Sequence, residues 1–153
     1  MQVQNISHLF SFTFEKSTTE IVEACQKKER DLRAKMEERE ARVTRIRSEY
    51  KITDAVLIDL LSQARAASKR NDALMNYSSN AAVSNDTGVP QTVTVGAGVV
   101  NMLLTERDFI DGEKAQADKL SVIARNLRDY TDERGIVRTA HRLGYDEIRF
   151  LGL

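Results

Sequence analysis

The segment 17–51 carries the clearest hydrophobic pattern of the chain. Its apolar residues are sparse and fall at helical spacing, and neither Pro nor Gly interrupts them. Ser17 and Glu20 match a capping box, which marks the start of a helix. An apolar stripe this narrow has to pack against another helix, so the pattern predicts coiled-coil packing. The predicted seam of this helix consists of Ile21, Leu32, Met36, Val43 and Ile46.

A second and more apolar helix is predicted over residues 55–75, after a moderate break with Thr53 or Asp54 as the cap. The break favours a helical hairpin over residues 17–75, with one continuous rod as the alternative. If the first helix reaches Tyr50, it spans about 50 Å at about 1.5 Å per residue, which is longer than a small globule needs. The predicted buried face of the second helix consists of Leu57, Leu60, Leu61, Ala64 and Ala67.

Residues 76–98 are rich in Asn, Ser, Thr and Gly and hold the only proline, Pro90, so they predict a long loop between helical halves. Within it, Gln91 to Val95 alternates like a short strand. Apolar heptads then predict a third helix over residues 99–130. The predicted seam of that helix consists of Leu103, Ile110, Leu120 and Leu127.

The two ends of the chain alternate like half-buried strands, at residues 8–14 and 147–153, and predict a small β ribbon. Between them, residues 134–143 predict a short helix that Gly144 closes. The predicted fold is therefore mainly α, a long helical hairpin or coiled-coil bundle with a small terminal β element, in a single domain 1–153. Its predicted segments are 1–16 (β), 17–75 (helical hairpin), 76–98 (loop), 99–130 (third helix) and 131–153 (short helix and strand).

The composition limits the kinds of function that the chain is expected to have. The 153 residues contain 23 basic and 23 acidic side chains, so no overall field draws the chain to nucleic acid or to an anionic membrane. The single cysteine, Cys25, forms no intrachain disulfide, and its apolar helix face predicts a buried thiol in a reducing cytoplasm. A basic leader is not found at the amino terminus, and a run of about 18 apolar residues does not occur. We therefore expect a cytoplasmic protein with neither export nor a membrane span.

Two arginine clusters are candidates for binding an anion. Acidic neighbours such as Glu38 offer partners to the first cluster, so we interpret both clusters as solvated faces, with phosphate or nucleic-acid binding as the alternative. The second cluster would share one face if the short helix forms. The first cluster consists of Arg39, Arg42 and Arg45. The second consists of Arg134, Arg138, His141 and Arg142.

The stretch from Thr92 to Val100 resembles the strand, glycine turn and helix start of a dinucleotide-binding fold. That fold requires a third small residue, where this chain has Asn101, and further βαβ units, where this chain has heptads. We interpret the glycines as a hinge or helix lead-in and predict no cofactor. The histidines His8 and His141 do not combine with Cys25 at zinc-site spacing, so no metal is predicted. Catalytic residues are not assigned either, since no nucleophile is paired with a base.

The first functional hypothesis is a non-enzymatic, cytoplasmic protein–protein interaction or assembly module that self-associates through its helical seams. Its expected partners are a second copy of the chain and another protein. The alternative is a binding protein that captures a nucleic acid or a small phosphate-bearing ligand through the arginine clusters and the 76–98 loop. A helical enzyme with a site assembled across subunits ranks third.

Overall fold

The computed structural model describes residues 13–84, 86–129, 134–135 and 138–153. Helices make up 66% of the described residues, which confirms the predicted mainly α class. The described helices are α1 (Thr18–Tyr50), α2 (Asp54–Lys69), α3 (Ala97–Arg128) and α4 (Tyr145–Leu151). The described strands are β1 (Thr13–Ser17), β2 (Asn76–Val83), β3 (Pro90–Gly96) and β4 (Ala140–Gly144).

The boundaries of α1 and α2 follow from local capping. The Ser17 hydroxyl accepts a hydrogen bond from the Glu20 amide at 3.1 Å, which confirms the predicted start of α1. Helix α1 ends before Lys51, whose φ of 56° is left-handed. Thr53 then caps α2 by accepting a hydrogen bond from the Val56 amide at 3.3 Å. A left-handed residue followed by a new cap separates the two helices.

The described chain divides into two compact units. The terminal unit joins the residues up to Ala34 with those from Glu113 onward, and the central unit is Lys35–Gly112. The boundary between them falls inside α1 and inside α3. Each unit contains its own cluster of buried apolar side chains.

In the terminal unit, β1 and β4 form a two-stranded antiparallel sheet whose register runs from Thr13 opposite Gly144 to Ser17 opposite Ala140. The Thr18 amide extends this pairing by donating to the Thr139 carbonyl at 2.8 Å. Side chains of α1 and α3 supply most of the core. The buried residues of this core are Ile21, Val22, Cys25, Leu32, Ala117, Leu120, Ala124 and Leu143.

The carboxyl-terminal segments differ from the prediction. Residues 140–144, predicted as the end of a short helix, form β4, and most of 147–153, predicted as a strand, lies in α4. Ile148 and Leu151 are three residues apart and both pack on the terminal core, which requires a helical turn. The left-handed cap glycine is Gly152, with φ of 72°, and not Gly144. The predicted strand residues 8–12 lie outside the described residues.

In the central unit, residues 76–96 form a β-hairpin where the sequence predicted a long loop. Tyr77, Ala82 and Val95 point from the strands into the core, and the residues between them are mostly exposed. All five residues of the predicted buried face of α2 are buried, which confirms that prediction. Helix α3 begins at Ala97, directly after β3.

The predicted seam residues are covered within the units to which they belong. Ile21, Leu32 and Leu120 lie in the terminal core, and Leu103 and Ile110 are buried in the central unit. The remaining seam residues are half-buried, and all except Met36 pack against a core; they are Met36, Val43, Ile46 and Leu127. Burial of these stripes therefore does not require a second chain.

Candidate interaction surface

The hairpin arm, which we define as residues 76–96, is supported at its base and exposed at its tip. Tyr77 and Val95 are buried near the base, beside α2 and the start of α3. Beyond Ala82, every described residue as far as Thr92 is exposed or half-buried. The arm therefore extends past the core that anchors it.

Two exposed valines flank the polar turn of the hairpin arm. Val83 pairs with Pro90, and the Ser84 amide donates to the Val89 carbonyl at 3.0 Å, so these residues lie together at the turn. Val83 is 57% exposed and Val89 58% exposed. Val83 stands opposite Pro90 on one face, and Val89, the residue before Pro90, lies on the other face, so each face presents an apolar side chain beside the turn.

The hairpin arm also lacks charge. From Ala73 to Thr105 the sequence contains one charged residue, Asp86, although charged residues make up 30% of the whole chain. Edge strands of natural sheets usually carry charges, prolines or bulges that prevent pairing with another chain. Here the bulge lies on β2, between Ser79 and Ala82, and Pro90 stands at the first residue of β3. The rest of β3 has no such protection.

The outer face of the arm is a network of hydroxyl and amide side chains. The hydroxyls of Ser78 and Thr94 lie 2.9 Å apart, and the Thr92 hydroxyl donates to the Asn80 side-chain oxygen at 2.6 Å. Gln63 of α2 donates its side-chain amide to the Ser78 carbonyl at 2.8 Å. These bonds hold the two strands in register and attach β2 to α2.

The first arginine cluster is directed at a carboxylate of the same unit. Arg39 and Arg42 both donate to Glu106 of α3, at 3.2 and 3.4 Å, so Arg42 pairs with Glu106 rather than with Glu38. The Arg39 guanidinium also lies 4.4 Å from the centre of the Phe109 ring. Arg45 is exposed on the same helix. The geometry therefore favours an internal ion pair over an anion site.

The role of Glu106 is not apparent from the heptad pattern, because Glu106 stands fourteen residues before Leu120, at a position of the α3 seam where that pattern expects an apolar residue. Its side chain is 15% exposed. Burial is the largest single influence and would raise its pKa, but the hydrogen bonds and the charges of Arg39 and Arg42 together outweigh burial and lower the pKa of Glu106. The signal that reveals it is charge complementarity, since Arg39 interrupts the stripe of α1 just as Glu106 interrupts that of α3.

Replacing Glu106 with Gln is expected to lower the free energy of unfolding by about 1 kcal/mol at neutral pH, since two arginines lose a shared charge. A carboxylate whose folded-state pKa is lowered stabilises the fold above its unfolded pKa, about 4.3 for Glu. That stability is lost as the pH falls through the lower folded-state value. Urea unfolding at a series of pH values should therefore show a smaller acid dependence in Glu106→Gln than in the wild type. An unchanged acid dependence would contradict this ion-pair assignment.

The second arginine cluster does not share a helix face. Arg138 and Arg142 lie along the extended chain that enters and forms β4, and Arg134 lies in a turn before it. Glu15 of β1 stands directly opposite Arg142. Both arginines, Glu15 and the half-buried His141 line one open cleft of about 480 Å³. The cleft in which the sequence suggested an anion is thus lined by a carboxylate as well as by the arginines.

Strand β3 differs from the strand of a dinucleotide-binding unit. It pairs antiparallel with β2 and runs directly into α3, with Gly96 as its last residue and Gly98 inside the helix. A dinucleotide-binding fold places this strand in a parallel sheet. The arrangement agrees with the interpretation of these glycines as a helix lead-in.

The Cys25 thiol is fully buried, as predicted. Burial raises its pKa, and the charge of Glu29 raises it further. The thiol is therefore protonated and shielded, which is typical of a structural cysteine rather than a reactive one.

None of the described helices combines the length and the apolar character needed to cross a membrane. Comparison of the chain with protein-family models, with curated proteins and with solved structures gave no significant match.

Proposed function

We propose that this chain is a non-enzymatic protein–protein interaction or assembly module that self-associates, with the hairpin arm as its contact element. The observation that carries the proposal is the arm itself, which is uncharged over β2 and β3, exposed at its tip and anchored at its base. A solvated hairpin would be expected to carry charges on its exposed positions. Apolar and hydrogen-bonding groups held outward on a rigid base instead favour binding another protein.

The helices act as the scaffold in this proposal. We interpret α1 and α2 as a helical hairpin within the central unit, supported by the break at Lys51 and by Val43 and Ile46, which pack against the same cluster as Leu57 and Leu60. The hydrogen bond from Gln63 to Ser78 fixes the position of the arm relative to α2. A reducing, cytoplasmic location belongs to the same proposal and is supported by the buried thiol of Cys25.

Ligand capture by the arginine clusters receives less support from the structure. Glu106 already pairs with Arg39 and Arg42, and Glu15 faces Arg142. An incoming phosphate would have to displace a carboxylate in the first cluster and approach one in the second. Self-association is therefore the better supported of the two functions.

The proposal is tested by the absolute mass in solution, measured by light scattering on a sizing column over a range of concentrations and at low and high salt. The expected mass is a multiple of 17.3 kDa that persists at high salt, because apolar and backbone contacts are not screened. Val89→Asp should weaken the association at least about tenfold, a change of about 1.4 kcal/mol.

The matched control for Val89→Asp is Ile58→Asp, which places the same charge on α2 at a position 70% exposed and outside the arm. It should leave the mass distribution unchanged. A monomer at every concentration would refute the proposed self-association. An oligomer equally sensitive to both variants would refute the role of the arm.

A further inference from the structure

We propose that β3 pairs edge to edge and antiparallel with β3 of a second copy of the chain, so that two hairpin arms form one four-stranded sheet. This inference rests on the proposed function and names the partner surface of the same arm. The base of the arm is stabilised by packing on α2, and pairing with a second arm would extend its two strands to a four-stranded sheet.

The register shows which backbone groups β3 presents at its outer edge. The Ala97 amide donates to the Met75 carbonyl at 2.8 Å, and Tyr77 pairs with Val95 two residues further along the hairpin. Because antiparallel pairs alternate between hydrogen-bonded and non-hydrogen-bonded, the odd-numbered residues of β3 bond to β2. The amide and carbonyl groups of Thr92 and Thr94 therefore point away from β2.

The other edge of the hairpin arm is already partly covered. Ser78 lies opposite Thr94, so its carbonyl also points outward, and there it accepts the hydrogen bond from Gln63. Within the described residues, no backbone group of another element bonds to Thr92 or Thr94. The edge of β3 is thus the one that remains open to a strand.

A second copy of β3 fits this edge because the strand is complementary to itself. When Val93 lies on the twofold axis, all seven residues of β3 overlap, and Thr92 stands opposite Thr94 of the second copy. A twofold contact packs the strand against a copy of itself. In a charged strand this would bring like charges close together and cause repulsion, whereas β3 has no charged residue. Pro90, which lacks an amide donor, then falls at the end of the paired segment.

The same register matches the two faces of the arms. Val93 is half-buried on the inner face and would be covered by Val93 of the second copy. Thr92 and Thr94 lie on the outer face and would form threonine pairs across the new interface. A shift of one residue would place valines opposite threonines and reverse the faces.

The test is disulfide formation by Val93→Cys in a Cys25→Ala background. Residue 93 bonds to β2, so across the twofold axis it forms a non-hydrogen-bonded pair with Cα atoms about 4.5 Å apart. That distance lies within the range of a disulfide, about 4.4–6.8 Å. Under mild oxidation the variant should form a covalent dimer at least about tenfold faster than Val89→Cys in the same background. The control residue is the more exposed of the two, so random collision would favour it instead.

A second variant covers the case in which Val93→Cys disturbs the fold. Thr94→Pro removes an outward amide that β2 does not use, and proline is tolerated at such an edge position. It should weaken self-association at least about tenfold while helicity by circular dichroism stays unchanged. Ser78→Pro removes the equivalent amide on the other edge and should not weaken it.

The outcomes separate this inference from the proposed function. A wild-type oligomer that forms no faster disulfide at position 93 than at position 89, and that tolerates Thr94→Pro, would overturn β3 pairing and leave the proposed function standing. A wild-type monomer would overturn both. Fast disulfide formation at position 93, together with sensitivity to Thr94→Pro, would support both.

Discussion

Replacing Leu120 with Asp is expected to unfold the terminal unit. Leu120 is fully buried among Ile21, Cys25 and Leu143. An unpaired carboxylate in an apolar core costs several kcal/mol, which approaches the whole stability of a domain, about 5–15 kcal/mol. Far-ultraviolet circular dichroism should show a clear loss of helicity at 25 °C, and the thermal transition should move to lower temperature or disappear.

The matched control for Leu120→Asp lies two residues further along the same helix. Val122 is 42% exposed, so Val122→Asp adds the same carboxylate where water can solvate it. Its effect should stay within about 0.5 kcal/mol. Wild-type helicity and melting temperature in Leu120→Asp would mean that this face of α3 is not buried, and the terminal core would have to be redrawn.

Replacing Leu60 with Ala is expected to lower the free energy of unfolding by about 2–5 kcal/mol, as in other leucine deletions in packed cores. Leu60 is fully buried at the centre of the α2 face, beside Tyr77, Val100 and Leu103. The loss combines the transfer of a side chain out of an apolar environment with the cavity that remains. Urea denaturation followed by circular dichroism measures it directly.

Ile58 supplies the control for Leu60→Ala, since it lies on the same helix and is mostly exposed. Ile58→Ala removes a side chain of equal size and should change the unfolding free energy by no more than about 0.5 kcal/mol. Equal effects of the two substitutions would show that α2 does not bury the face assigned to it.

The parts of the fold that could be predicted are those decided by local chemistry. The Ser17 and Thr53 caps follow from side chains that accept bonds from nearby amides. The buried face of α2 follows from five apolar residues at helical spacing. The contact between Arg39 and Glu106 was also open to prediction, because both residues interrupt an apolar seam and their charges are opposite.

The hairpin arm could not be predicted from the same signals. Its outward positions are mostly Ser, Asn and Thr, the residues that mark loops, and one of its buried positions is itself a serine, Ser79. The apolar residues that alternate with them are Tyr77, Ala82, Val93 and Val95. Their strand conformation depends on packing against α2, which lies outside any short window of sequence. The helix and strand predictions for the β4 and α4 segments were interchanged for a related reason. A short segment with a few apolar residues fits both the helical and the strand period.

The candidate site was harder to predict than the fold. The arginine clusters drew attention because charge is visible in a sequence, yet Glu106 and Glu15 face them from other elements. The arm stands out in the sequence because it lacks charge: it lies in a run of residues with one charged side chain, in a chain that is otherwise highly charged. The absence of charge indicates a contact surface only when the register is known, because the register shows that the edge of β3 is exposed.

The pairing of β1 with β4 has a consequence for the order of folding. Thr13 lies opposite Gly144, and the Thr18 hydroxyl donates to the Arg138 carbonyl, so this unit closes a loop of more than a hundred residues. The central unit comprises residues 35–112, a single continuous stretch of the chain. Because long loops are costly to close and chains emerge from the ribosome in order, we expect the central unit to form first. Ile21 and Leu32 share their core with Leu120 and Leu143, so during synthesis the amino-terminal half of α1 is expected to stay exposed until the carboxyl-terminal residues are made.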